Sequence, residues 1–172
     1  MERVVVVGCP GSGKTTFSLK LAARTKLPLI HLDYYYHQPA HDYGNNREAW
    51  VTRVRNLCSK ERWIMDGNYN STVAERFDRA DTIIFFDYPR RKSLYGILKR
   101  RLHYYRQPRQ DMPKGWKETA NLVLLSSVWN FKRNKRPTIL NILSQNRDKH
   151  IIIFKNRKQA AEYLSKLKAS QC

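Results

Sequence analysis

The chain has 172 residues, 41% hydrophobic and 12% aromatic, with a formal net charge of +19; this suits a single globular domain, residues 1–172, with a sizeable core, and excludes a disordered or low-complexity chain. No run approaches the ~18 apolar residues of a membrane span, and Cys9, Cys58 and Cys172, odd in number and without a C-x-x-C pair, exclude a disulfide framework and a zinc site. The charge is lopsided, because residues 1–88 hold 12 Lys and Arg against 10 Asp and Glu, whereas residues 89–172 hold 21 against 4.

In chain order, residues 3–7, Arg3 followed by four valines, predict a strand, and it leads into Gly8-Cys9-Pro10-Gly11-Ser12-Gly13-Lys14-Thr15, a complete G-x-x-x-x-G-K-[ST] phosphate loop. Glycines at 8, 11 and 13 let consecutive backbone N–H groups converge on phosphate oxygens at a helix N-terminus, with Pro10, Ser12 and Thr16 completing the cradle. Lys14 is expected to bridge β- and γ-phosphates, and the Thr15 hydroxyl to ligate Mg²⁺. Cys9 fills a variable position and is expected to be a spectator. The loop begins too near Met1 to leave room for a cleaved signal, so a reducing cytoplasm is the expected location.

A helix over 14–24 follows, then a strand over 29–32 that contains His31, then Asp33; Tyr34, Tyr35, Tyr36 and Tyr43 stand with His31, His37 and His41. These aromatic and polar residues either line an acceptor pocket or pack internally. A helix carrying Trp50, Val54 and Leu57 on one face precedes a strand over 62–65, and a short helix is predicted over 71–77. The wholly apolar run 82–86 reads as a central parallel strand covered on both faces. Leu94, Ile97, Leu98, Leu102 and Tyr105 then form a helical stripe. Residues 107–115, with two prolines and a glycine, read as a loop. Helical stretches over 121–131 and 139–143, a strand over 151–154 and a closing helix end the chain.

Five strands with crossover helices predict a three-layer α/β/α P-loop sandwich with a five-stranded parallel sheet, reacting at the carboxyl ends of its strands. Asp33, Asp66, Asp87 and the Lys155-Asn156-Arg157 run all follow strand ends. Asp66 is read as a holder of Mg²⁺, an orienter of the acceptor, or a turn cap; Asp33 as a general base or metal contact. Asp87 is expected to be structural, through helix capping. Arg106 and Arg109, in a lid over about 104–116, are expected either to close over a triphosphate or to face solvent with Arg109 paired to Asp111.

Together with the phosphate loop, Leu32-Asp33, Trp63-Ile64-Met65-Asp66-Gly67-Asn68-Tyr69, Ala80-Asp81-Thr82-Ile83-Ile84-Phe85-Phe86-Asp87 and Arg109-Gln110-Asp111-Met112 resemble the DNA topology modulation (FlaR-like) proteins, an adenylate-kinase-like branch of the P-loop kinases. The resemblance spans nearly the whole chain and implies a nucleotide-kinase fold with a short lid. It also implies that Arg101 stacks on adenine, with Arg100 equally eligible, and that Lys155 and Asn156 edge the base pocket. Adenylate kinases proper carry Asp-Gly-Phe-Pro-Arg where this chain has Asp66-Gly67-Asn68-Tyr69-Asn70. The arginine that would grip a nucleoside monophosphate is therefore absent there, leaving Arg76 or Arg79 as substitutes.

The expected function is ATP- and Mg²⁺-dependent transfer of a γ-phosphoryl group to a small molecule, with Lys14, Asp33, Asp66, Arg106 and Arg109 as catalytic residues. The alternative is a nucleotide-regulated nucleic-acid binder using the basic second half.

Overall fold

Alternate valines of β1 (Arg3–Gly8) enter two separate cores, because successive strand side chains point to opposite faces. Val4 and Val6 join Phe17, Leu21, Ile84, Phe86, Phe154 and Leu164, while Val5 and Val7 join Trp50, Val54, Phe77, Phe131, Ile139 and Leu143. Both faces of the sheet are thus dry, which is why its strands read as continuous apolar runs. The computed structural model describes residues 1–38, 40, 43–103, 112–113 and 122–167.

The remaining strands are β2 (Leu29–His31), β3 (Trp63–Asp66), β4 (Thr82–Phe86) and β5 (His150–Phe154). They form a parallel five-stranded sheet in the order β2-β3-β1-β4-β5. One core packs α1 (Lys14–Thr25) and α8 (Arg157–Lys166) on the sheet, and the other packs α3 (Arg47–Cys58), α4 (Val73–Arg79), α6 (Leu122–Asn134) and α7 (Arg136–Gln145). The result is the expected three-layer α/β/α sandwich. Local chemistry sets several helix starts. Asn46 accepts a hydrogen bond from the Ala49 N–H at the head of α3, and α7 has proline in its first turn, as caps and missing N–H donors favour.

Three expectations need correction. Residues 71–77 are a 3-10 turn, Asn70–Thr72, followed by α4. The second strand ends at His31, not residue 32, and the aromatic stretch after it begins as a short helix, α2 (Leu32–Tyr36), so Asp33 lies in a first helical turn. In α5 (Arg90–His103) only part of the predicted stripe is covered: Ile97 is buried and Leu94 packs against the core, with Ser93 buried beside them, whereas Leu98 and Leu102 are 58% and 81% exposed. Close approach to a neighbouring backbone selects small residues over large ones, and Gly96 lies on this covered edge. Among the described residues, no helix is long and apolar enough to cross a membrane.

Candidate active site

At the end of β1 the chain wraps into the phosphate loop. Gly11 and Gly13 take φ of +77° and +92°, a left-handed region that side chains resist, and Gly13 caps α1. Lys14, Thr15 and Thr16 occupy the first turn of α1, where unpaired N–H groups and the helix dipole favour an anion. Pro10 is half-buried, Ser12 is buried, and Gly13 and Thr16 stand exposed at the mouth. Lys14 is buried and folds back over its own loop, its Nζ donating to the carbonyls of Gly8 (3.0 Å) and Cys9 (3.1 Å). Burial pulls the Lys14 ammonium below its ordinary range, against the opposing pull of Asp66 and, more weakly, Cys9 and Asp33. Cys9 is buried in the loop, and burial pushes its thiol up, which disfavours a reactive thiolate.

The turn after β3 reaches three parts of the site with three successive polar side chains. Asp66 Oδ2 accepts a hydrogen bond from Thr15 Oγ1 at 2.9 Å. Asn68 Oδ1 accepts from the Gly8 N–H at 3.1 Å, pinning the start of the phosphate loop. The Tyr69 hydroxyl donates to Asp33 Oδ1 at 2.9 Å; burial, then the negative charge of Asp33, push that phenol above its usual range. His31 Nδ1 lies 3.5 Å from Asp66 Oδ2, close but not aligned as a hydrogen bond. Lys14, Thr15, Asp33 and Asp66, chosen from sequence, are therefore brought together.

Arg76 has a different place from the one sequence allowed. It is fully buried, and its guanidinium donates to the carbonyls of Thr72 (3.2 Å), Gly67 (2.8 Å) and Tyr69 (2.9 Å). It is the internal clamp of the 67–72 turn, buried out of reach of an acceptor's phosphate. Arg79 ends α4 beside Arg3 and Asp81, at the opposite end of the strands. Neither substitutes for the arginine missing after Gly67.

On the other flank, α5 lies against the phosphate loop so closely that a Cβ on Gly96 would fall 1.9 Å from the Gly11 carbonyl oxygen and 3.2 Å from an Arg157 nitrogen. Gly96→Ala should therefore cost about 1–3 kcal/mol, as overpacking does, despite alanine's better helix propensity. It should also weaken nucleotide binding; urea unfolding and an ATP titration check both. A groove of about 670 Å³ runs beside this contact, lined by Arg91, Lys92, Tyr95, Asn156, Arg157 and Lys158. Asn156 Oδ1 accepts from the Gln159 N–H and Gln159 Oε1 from the Lys155 N–H, so Asn156 edges the groove while capping α8 in the manner of a capping box. Arg101 is exposed on α5, whereas the charge of Arg100 acts on Lys14. Arg106 and Arg109 lie outside the described residues, as does His41.

Asp87 sits in an ion cluster and caps no helix in the described structure. Arg136 Nε and Nη2 donate to its two oxygens at 2.8 and 2.9 Å, and Lys155 Nζ donates at 2.5 Å. Lys155 is thus engaged at the end of β5. Burial alone would raise the Asp87 carboxyl, but hydrogen bonds from Arg136 and Lys155 hold it below its ordinary 3.8. A depressed carboxylate stabilises the fold above its unfolded pKa and loses that contribution as pH falls through the folded value. Asp87→Asn should cost about 1–3 kcal/mol at pH 7, discounted because both cations are partly hydrated. The gap from wild type should close below about pH 4 in urea titrations.

No family model matches the chain, and no curated protein does. Among solved structures it is similar to shikimate kinase from Acinetobacter baumannii in complex with shikimate (14% identity, TM-score 0.63, covering 96% of this chain and 90% of that one). It is also similar to shikimate kinase from Bacteroides thetaiotaomicron (19%, 0.53, 96% of each) and to a gluconokinase from Sinorhizobium meliloti 1021 (15%, 0.53, 95% and 87%). At these identities the likeness is one of fold: the chain shares the three-layer α/β/α architecture of these small-molecule kinases.

Proposed function

We propose that the chain is an ATP- and Mg²⁺-dependent phosphotransferase acting on a small molecule, one kinase-like unit in which segment 104–116, with Arg106 and Arg109, closes over the phosphates. The observation that carries this reading is the Thr15–Asp66 contact beside Lys14, which sets a hydroxyl, a carboxylate and an ammonium at one end of β1 and β3. Resemblance to the DNA topology modulation proteins, in the motif from Trp63 to Tyr69, agrees with it.

Among the described residues no three His, Cys, Asp or Glu side chains converge as a self-sufficient metal cage. The oxygens of Thr15 and Asp66 instead suit a hard cation whose other ligands are phosphate oxygens and water. When bound, Mg²⁺ offsets charge on the phosphates. The loop's N–H groups and the head of α1 hold the β- and γ-phosphates, and Lys14 turns from its own carbonyls toward them, cancelling charge that grows during transfer. The base lies in the groove between Tyr95 and Asn156. Asp33, oriented by Tyr69, takes the proton from the acceptor.

The test is ADP release across a panel of nucleosides, nucleoside monophosphates and other small metabolites, with Lys14→Ala as blank. Acceptor-dependent release seen only in the wild type supports the reading. A flat trace across the panel counts against it.

A further inference from the structure

Resting on that kinase reading, we propose that the acceptor is an uncharged alcohol carried on a ring, with the sugar hydroxyl of a nucleoside as the type, and not a compound that already bears a phosphate. Three observations lead there. The guanidinium that sequence offered for an acceptor phosphate, Arg76, is spent on three backbone carbonyls and fully buried, and Arg79 lies at the far end of the sheet. Among the described residues the acceptor side instead presents the carboxylate of Asp33, held by Tyr69, next to Asp66, which Thr15 ties to the phosphate loop. A dianion placed there meets like charge, which destabilises binding.

The third observation is the wall next to Asp33. Tyr36 is the centre of an aromatic group, with ring centres 5.0 Å from Trp50, 4.7 Å from Tyr69 and 6.4 Å from Tyr43. Tyr69 also packs on Trp50 at 4.8 Å. The phenol that orients Asp33 is therefore held by core packing, with Trp50 and Tyr43 buried; only the partly exposed Tyr36 and Tyr69 rings stand beside the carboxylate, and they are apolar and flat, better suited to a ring than to a phosphate. Arg53, on the same flank, has its guanidinium 5.1 Å from the Tyr35 ring centre. Asp33 Oδ1 receives the Tyr69 hydroxyl, and Oδ2 has no hydrogen-bond partner among the described residues. An acceptor hydroxyl can donate to Oδ2. Its oxygen then forms a new bond to the γ-phosphorus as the bond to the β,γ-bridging oxygen breaks, its proton passes to Asp33, and ADP leaves.

The experiment uses matched pairs, a nucleoside against its 5′-monophosphate and a cyclic polyol against its monophosphate, each with the full chain, ATP and Mg²⁺. Products are read by the mass gain of a phosphoryl group, and ATP binding is measured separately. The uncharged member should be preferred in kcat/KM by at least about tenfold, since like-charge contact in a closed site costs more than this. Asp33→Asn should lower kcat by about 10²–10⁴-fold with ATP affinity kept, and Arg53→Met should leave KM unchanged. Preference for the phosphorylated member, with its KM raised by Arg53→Met, overturns the inference and leaves the kinase reading standing. ATP binding with no turnover of either member overturns it too, while failure to bind ATP sinks the kinase reading itself.

Discussion

Arg76→Ala is expected to be the most destabilising single substitution in the described part of the chain, at about 3–5 kcal/mol. The change leaves the Gly67 carbonyl without its donor and takes one donor each from the carbonyls of Thr72 and of Tyr69, which keeps the Thr72 N–H and hydroxyl; an orphaned buried group costs about 1–3 kcal/mol before relaxation. It also opens a cavity where a fully buried side chain stood. Burial draws the guanidinium down to about 10, so at neutral pH it remains charged and its hydrogen bonds are charge-assisted. Arg76→Met restores volume but not donors and should recover only part of the loss. Arg76→Lys supplies a charge without the planar fork and should fall between wild type and Met. Urea unfolding of the three variants checks the order. Because the same turn carries Asp66, Asn68 and Tyr69, phosphoryl transfer should fall in step with the loss of order there.

Lys14→Met should separate activity from stability in the opposite sense. Removing a cation that meets phosphate charge in the transition state should cut kcat/KM by about 10³-fold or more, at the upper end of what loss of one charge-stabilising donor produces. The fold should not suffer. Burial opposes the Lys14 charge more strongly than Asp66, Cys9 and Asp33 favour it, so its pKa is lowered; without nucleotide that ammonium is a cost to the folded state. The thermal midpoint of the nucleotide-free variant should equal or exceed that of the wild type. A lower midpoint would mean that the bonds to Gly8 and Cys9 carbonyls outweigh the desolvation they accompany.

The sheet was legible because runs such as Val4 to Val7 and Thr82–Phe86 are apolar throughout, as strands buried on both faces must be. The phosphate loop was legible from spacing, and with it Lys14 and Thr15. Asp33 and Asp66 could be named from their place after strand ends, but their partners could not. Thr15 and Asp66 are 51 residues apart, Tyr69 and Asp33 are 36 apart, and hydrogen bonds of that separation leave no local pattern. Arg76 was misplaced for a physical reason: a charged residue on a short helix usually faces water, and only an irregular turn with three inward carbonyls holds it inside. In α5 the predicted stripe is covered at Leu94 and Ile97 but not at Leu98 and Leu102, because the buried edge runs through Ser93 and Ile97. Gly96, costly in a helix interior, was the available sign that this edge meets another backbone.

The central claim is that the loop from Gly8 to Thr15, with Lys14, holds a polyphosphate. Calorimetric titration of the full chain with ATP in the presence of Mg²⁺, paired with thermal unfolding, tests it most directly. Saturable single-site heat is predicted, with stabilisation of about 2.7 kcal/mol at a hundredfold excess of ligand over Kd and both effects lost in Lys14→Met. Wild-type protein that gives neither heat nor a shift in Tm would contradict it.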